Sequence, residues 1–119
     1  PDFSGTNIQN VALMDRFLMF ERMTYPDVDR EVSILKNYGL EHGTASKLVR
    51  FAVEIRQSAN RGNIRTPLST RLLVAWVRLI PTLGMKSAMT SAVLWRLDDD
   101  EAKFYQSIAQ RELGLDFAF

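Results

Sequence analysis

The chain has 119 residues, 46% of them apolar and 24% charged, with a net charge of +1. That is enough apolar material for one domain with a core, and a nearly balanced charge does not demand a nucleic acid or an anionic membrane as partner. There are no cysteines and one histidine, which excludes disulfides, cysteine metal sites and multi-histidine metal sites within the chain.

No apolar run approaches the roughly 20 residues that span a bilayer. The opening PDFSGTNIQN is polar and is not a signal peptide, so a cytoplasmic setting is expected. A start at Pro1 instead of Met suggests a piece of a longer protein. Residues 1–6 read as loop. NIQNVALMDR follows as a short helix, with Asn7 as cap and Ile8, Val11, Ala12 and Met14 as its stripe. FLMFERM, from Phe17, is aromatic, apolar and short, which predicts a strand. A lone strand leaves its backbone groups unpaired, so this head belongs to a sheet that the chain itself does not supply.

YPDVDREVSILKNYG predicts a helix with Pro26 at its first position, acids in its first turn, Lys36 near its end and Gly39 as its stop. Its apolar face is Val28, Val32 and Leu35. HGTASKLVRFAVEIRQSA predicts a second helix, with Thr44 as a possible cap. Leu48, Phe51, Ala52 and Ile55 fall at i, i+3, i+4 and i+7. NRGNIRTP is a turn-rich connector. Ser69 then caps a helix with the stripe Leu72, Leu73, Trp76, Leu79 and Ile80, which Pro81 and Gly84 should end. KSAMTSAVLWRL is a shorter helix. DDDEAKFYQSIAQREL is the last, capped by Asp98 or Asp99 and stopped by Gly114. The tail DFAF is apolar and should pack on the domain or on a neighbour. The fold class is thus mainly α from about residue 26 onward.

Self-contained catalysis has no support. No phosphate-cradling glycine loop is present, since the six glycines stand singly, and no zinc-protease, nucleophile-elbow or EF-hand motif occurs. The acidic run over 98–101 is a dipole-favoured helix start before it is a cation site. His42 reads as a loop or capping residue, and Trp76 and Trp95 sit on stripes, so both are expected in the core. Lys47, Arg50, Arg56, Arg61, Arg65, Arg71 and Arg78 are spread over several helices and read as a solvated face. A helix-turn-helix over 47–80 is disfavoured, because its connector exceeds the usual 3–4 residues. Arg71 raises its own question. It stands in the first turn of its helix, where the dipole opposes a cation by about 0.3–1 kcal/mol.

The stretch GTNIQNVALMDRFLMFERMTYPDVDREVSIL resembles the segment after the sensor 1 strand of MoxR-type AAA+ ATPases. The matching positions are Asn10, Ala12, Leu13, Asp15, Arg16 and Phe17, then Tyr25, Pro26, Glu31, Ile34 and Leu35. KLVRFAVEIR followed by LSTRLLVAWVRLI resembles the C-terminal lid of the CbbQ, NirQ and NorQ branch. The gas-vesicle and cobaltochelatase small-subunit ATPases are similar relatives. The resemblance covers nearly the whole chain, more loosely after Gly84. It implies that residues 1–25 are the last helix and strand of an αβα nucleotide-binding core and that residues 26–119 are a helical lid. The Walker A loop, Walker B acids and sensor 1 asparagine would precede Pro1.

The same resemblance implies roles for two arginines. Arg71 would be sensor 2, reaching from the start of a lid helix to the phosphates of ATP. Arg16 would be an arginine finger entering a neighbouring subunit's site, or else an ion-pair partner of Asp15 or Glu21. In other nucleotide hydrolases such a finger is worth roughly 10³–10⁵ in rate. ATP and Mg²⁺ are the implied cofactors of the full-length protein, with no metal site in these residues. The implied assembly is a homo-oligomeric ring, a hexamer in the common case, acting on a client metalloenzyme together with a von Willebrand A domain partner. The alternative is a free-standing helical module that binds protein or DNA.

Overall fold

The computed structural model describes residues 25–117, and the regular structure among them is helical throughout. In chain order come α1 (Val28–Lys36), α2 (His42–Asn60), α3 (Thr70–Leu83), α4 (Met85–Ala92), a 3₁₀ turn (Leu94–Arg96) and α5 (Asp99–Leu113). The helix expected over 7–16 and the strand expected over 17–23 lie outside the described residues. No helix among the described residues is long and apolar enough to cross a membrane.

α1 starts two residues later than its proline suggests. Asp27 is the cap, and its Oδ1 accepts from the Arg30 N–H at 2.8 Å. Asp27 stays extended so that its carboxylate can reach back, which leaves Pro26 ahead of the cap instead of at the first helical position. The inward face also differs from the expected one. Val28 is 52% exposed, and Glu31 joins Val32 and Leu35 on the buried side.

α2 buries Leu48, Phe51, Ala52 and Ile55, as its 3.6-residue period requires. It begins before Thr44, with Glu41 at the cap position and exposed His42 as its first residue. The Thr44 hydroxyl donates to Glu41 Oε1 at 3.3 Å instead of capping. α3 has the expected cap, with the Leu72 N–H donating to Ser69 Oγ at 3.1 Å. It runs past Pro81 to Leu83 and stops at Gly84, whose N–H donates to the Ile80 carbonyl at 2.8 Å. A proline in the last turn removes one N–H without blocking the two residues that follow.

The expected helix over 86–97 is broken. α4 ends at Ala92, and Val93 leaves helical geometry at φ −120°. An unbroken helix would set Trp95 on one stripe with Ala88 and Ala92. The break swings it outward, to 68% exposure, while Val93 and Leu94 turn in. The core placement expected for Trp95 is therefore wrong, whereas Trp76 is fully buried. α5 is capped by Asp98, whose Oδ1 accepts from the Glu101 N–H at 2.9 Å, and it closes on Gly114 in the left-handed region at φ +69°. The tail folds back as far as Phe117, which is buried, and Lys86 Nζ donates to the Asp116 carbonyl at 2.6 Å.

α2 is the central element. α1 and α5 pack against it, and α3 packs on α4 and touches α1. The Phe51 ring of α2 meets Trp76 of α3 edge-on at 5.7 Å and Tyr105 of α5 edge-on at 6.1 Å. Aromatic pairs of this geometry contribute about 0.5–1.5 kcal/mol each beyond the area they bury. One side chain thus ties three helices together.

Candidate functional site

Arg71 is exposed in the first turn of α3. Among the described residues its guanidinium has no ion pair and no side-chain hydrogen bond. The Ser69 cap uses the Leu72 N–H, and the Leu73 N–H goes to the Ser69 carbonyl at 3.1 Å. The N–H groups of Thr70 and Arg71 precede these bonds and have no partner among the described residues. Unpaired N–H groups and the positive end of a helix dipole favour an anion at that point.

The backbone under Arg71 is held by a buried ionic network. Arg56 of α2 and Glu31 of α1 form a two-pronged pair, with Nη1 to Oε1 at 2.8 Å and Nη2 to Oε2 at 2.6 Å. Glu31 has no exposed surface and Arg56 is 7% exposed. Burying two charges is tolerated only when the remaining donors and acceptors are also satisfied. Here they are. Arg56 Nε donates to the Leu68 carbonyl at 2.8 Å, and the Thr70 hydroxyl donates to Glu31 Oε2 at 2.8 Å. The Tyr25 ring lies 3.9 Å from the Arg56 guanidinium carbon and covers its face. The network therefore pins the chain at Leu68 and Thr70, on either side of the Ser69 cap.

A second carboxylate fixes the middle of the same connection. Glu101 of α5 is buried and accepts from the Arg65 N–H at 2.5 Å, the Thr66 N–H at 3.2 Å and the Thr66 hydroxyl at 2.8 Å. The Tyr105 hydroxyl donates to the Thr66 carbonyl at 2.6 Å. Burial first, and then the charge of Glu101, push the Tyr105 hydroxyl pKa above its ordinary value. Arg65 also pairs with Asp98. The connector over 61–69 thus reaches α3 held at its middle, by Arg65 and Thr66, and near its end, at Leu68.

These contacts revise the expectations for the charged residues. Lys47, Arg50, Arg61, Arg65, Arg71 and Arg78 are exposed, as a solvated face requires. Arg56 is not, because it pairs with Glu31 across 25 positions of sequence. A signal for it was present. Arg56 follows Val49 and Ala52 at helical spacing, and Glu31 stands one turn before Leu35. Each charge therefore sits on an apolar stripe, and the two have opposite sign. The acidic run is a capped helix start as expected, with Glu101 adding a long-range grip. Among the described residues no group of His, Asp and Glu is arranged to hold a metal ion. Arg16 lies outside the described residues.

Comparison with known proteins adds the family. The model described as CbbQ/NirQ/NorQ C-terminal matches residues 31–110. The chain is also similar to a curated protein, the aerobic cobaltochelatase subunit CobS of Sinorhizobium sp, with 28% identity over 121 residues. That match covers 96% of this chain and 36% of CobS, so the chain spans about a third of its relative's length. No solved structure matches. The match runs from the buried glutamate of α1 into the last turn of α5, through most of the helical body described above. The chain belongs to the CbbQ/NirQ/NorQ C-terminal family and carries the helical C-terminal domain of MoxR-type AAA+ proteins.

Proposed function

We propose that this chain is the lid of a ring ATPase, with Arg71 as its sensor 2 arginine. In this reading residues 1–25 close the nucleotide-binding core and residues 26–119 form the lid. The observation that carries it is an exposed guanidinium, without an acidic partner among the described residues, on a helix start whose N–H groups are open. Such an arrangement suits a polyphosphate. The guanidinium offers forked donors and stays charged at every relevant pH, and the helix end adds partial positive charge. The cost of setting a cation against the dipole, about 0.3–1 kcal/mol, disappears once an anion sits between them.

Bound ATP with Mg²⁺ would supply the transferable phosphoryl group. Mg²⁺ would come with the nucleotide and be held in part by its phosphates. Arg71 would neutralise charge on the phosphates and report their presence to the lid. Arg16 would act on a neighbouring subunit's nucleotide as an arginine finger. The assembly would be a homo-oligomeric ring, a hexamer in the common case, working in the cytoplasm on a client metalloprotein with a von Willebrand A domain partner. Similarity to a cobaltochelatase subunit supports a metal-linked client.

The test is steady-state ATP turnover by the full-length protein. Arg71→Ala should lower turnover while leaving the helical circular dichroism unchanged, and equal turnover removes the sensor 2 role. Arg16→Ala subunits should regain activity in mixed rings with wild-type neighbours. If mixed rings show no more than the wild-type share, the finger role fails.

A further inference from the structure

The Glu31–Arg56 pair is more than a buried ion pair that happens to lie near α3. Among the described residues, its hydrogen bonds outside the pair go to Leu68 and Thr70, within three positions of Arg71. Arg56 Nε grips the Leu68 carbonyl, and Glu31 Oε2 accepts from the hydroxyl of Thr70, the residue next to Arg71. A face of the guanidinium is covered by Tyr25, the first described residue, two positions before the Asp27 cap of α1. The pair thus connects the entry of the helical domain, through α1 and α2, to the first turn of α3. Apolar contacts also serve domain cohesion: Phe51 joins α2, α3 and α5, and α1 buries Val32 and Leu35 in the same core.

We infer that Glu31, Arg56 and Thr70 are positioning residues for Arg71, forming a clamp that sets the direction in which its guanidinium leaves the domain. The inference rests on the sensor 2 reading of Arg71. The Arg71 side chain is long, but its root is fixed by the backbone at Thr70 and by the cap at Ser69. Loosening the Thr70 hydroxyl or neutralising Glu31 frees that root while leaving the arginine present. A misplacement of about 1 Å can cost roughly 10²-fold in rate, so a partial loosening should cost on the order of tenfold.

The experiment is a double-mutant cycle on ATP hydrolysis by the full-length ring protein. Thr70→Val keeps the β-branched shape and removes only the hydroxyl, and Glu31→Gln removes the charge. Each is made alone and together with Arg71→Ala, with circular dichroism and thermal melts as a check of folding. Each single variant should lower kcat by about tenfold, and each should have almost no further effect once Arg71 is alanine, because the clamp then has nothing to aim. Equal losses in both backgrounds would mean that the network only holds the domain together, and the inference would be overturned. So would full activity of a folded Thr70→Val variant beside an impaired Arg71→Ala. If Glu31→Gln does not fold, Thr70→Val decides alone. If Arg71→Ala itself costs nothing, the sensor 2 reading fails, and the clamp's role in catalysis falls with it.

Discussion

Replacing Arg56 with methionine tests the buried network at its centre. The change keeps most of the aliphatic stem and removes the guanidinium. Three donated hydrogen bonds go with it, two to Glu31 and one to the Leu68 carbonyl. Glu31 is left as a fully buried carboxylate whose remaining partner is the Thr70 hydroxyl. Removing one member of a buried pair typically costs about 3–5 kcal/mol, because the other charge is stranded. A loss of about 4 kcal/mol corresponds to a drop in Tm of roughly 15–30 °C in a domain of this size. Urea melts of the chain, followed by circular dichroism, should show a lower midpoint at unchanged slope. The double variant Glu31→Leu with Arg56→Met should recover most of the loss. It leaves the Leu68 carbonyl without its donor, at a cost of about 1–3 kcal/mol, and the half-buried Thr70 hydroxyl without its acceptor. A single-variant cost below about 1 kcal/mol, the range of exposed ion pairs, would refute the reasoning, and so would strictly additive losses, because both require a pair that water reaches.

The remaining predictions concern α5 and the two tryptophans. Tyr105 is held protonated in the fold beyond its ordinary pKa of about 10, whereas the unfolded chain releases that proton near pH 10. Its contribution is therefore intact below pH 10 and declines as pH rises above it, by at most about 1.4 kcal/mol per pH unit. Tyr105→Phe should lack that part of the alkaline decline, and identical pH–stability slopes for the two proteins would contradict the assignment. Trp95→Ser should alter stability by no more than about 0.5 kcal/mol and remove most of the acrylamide-quenchable fluorescence. Trp76→Ala should cost about 3–5 kcal/mol. Comparable costs for the two would mean that Trp95 is not on the surface.

Much of the helical body was legible from local pattern. Ser69, Asp98 and Gly114 mark helix ends because capping is a hydrogen bond or a backbone angle within a few residues. The stripe of α2 was legible because one face of a long helix repeats several times. The ends of α1 and α4 were less so. Asp27 and Pro26 compete as starting signals one position apart, and the break at Val93 carries no glycine or proline to announce it. The sequence placed Arg71 at the mouth of an apolar helix, since that depends only on Ser69 and the stripe behind it.

By itself, then, the sequence determined the helical class of the domain, most of its helix boundaries and the family to which it belongs. These follow from short-range periodicity, capping and residue order. Tertiary structure alone decided which charges are buried, which tryptophan faces water and what holds the start of α3. Glu31 and Arg56 are 25 positions apart and on different helices, and although each stands on an apolar stripe, local pattern does not say which charge meets which. Their burial is stable only as a pair with Leu68 and Thr70 completing it, and that pairing comes into being when α1, α2 and α3 pack together.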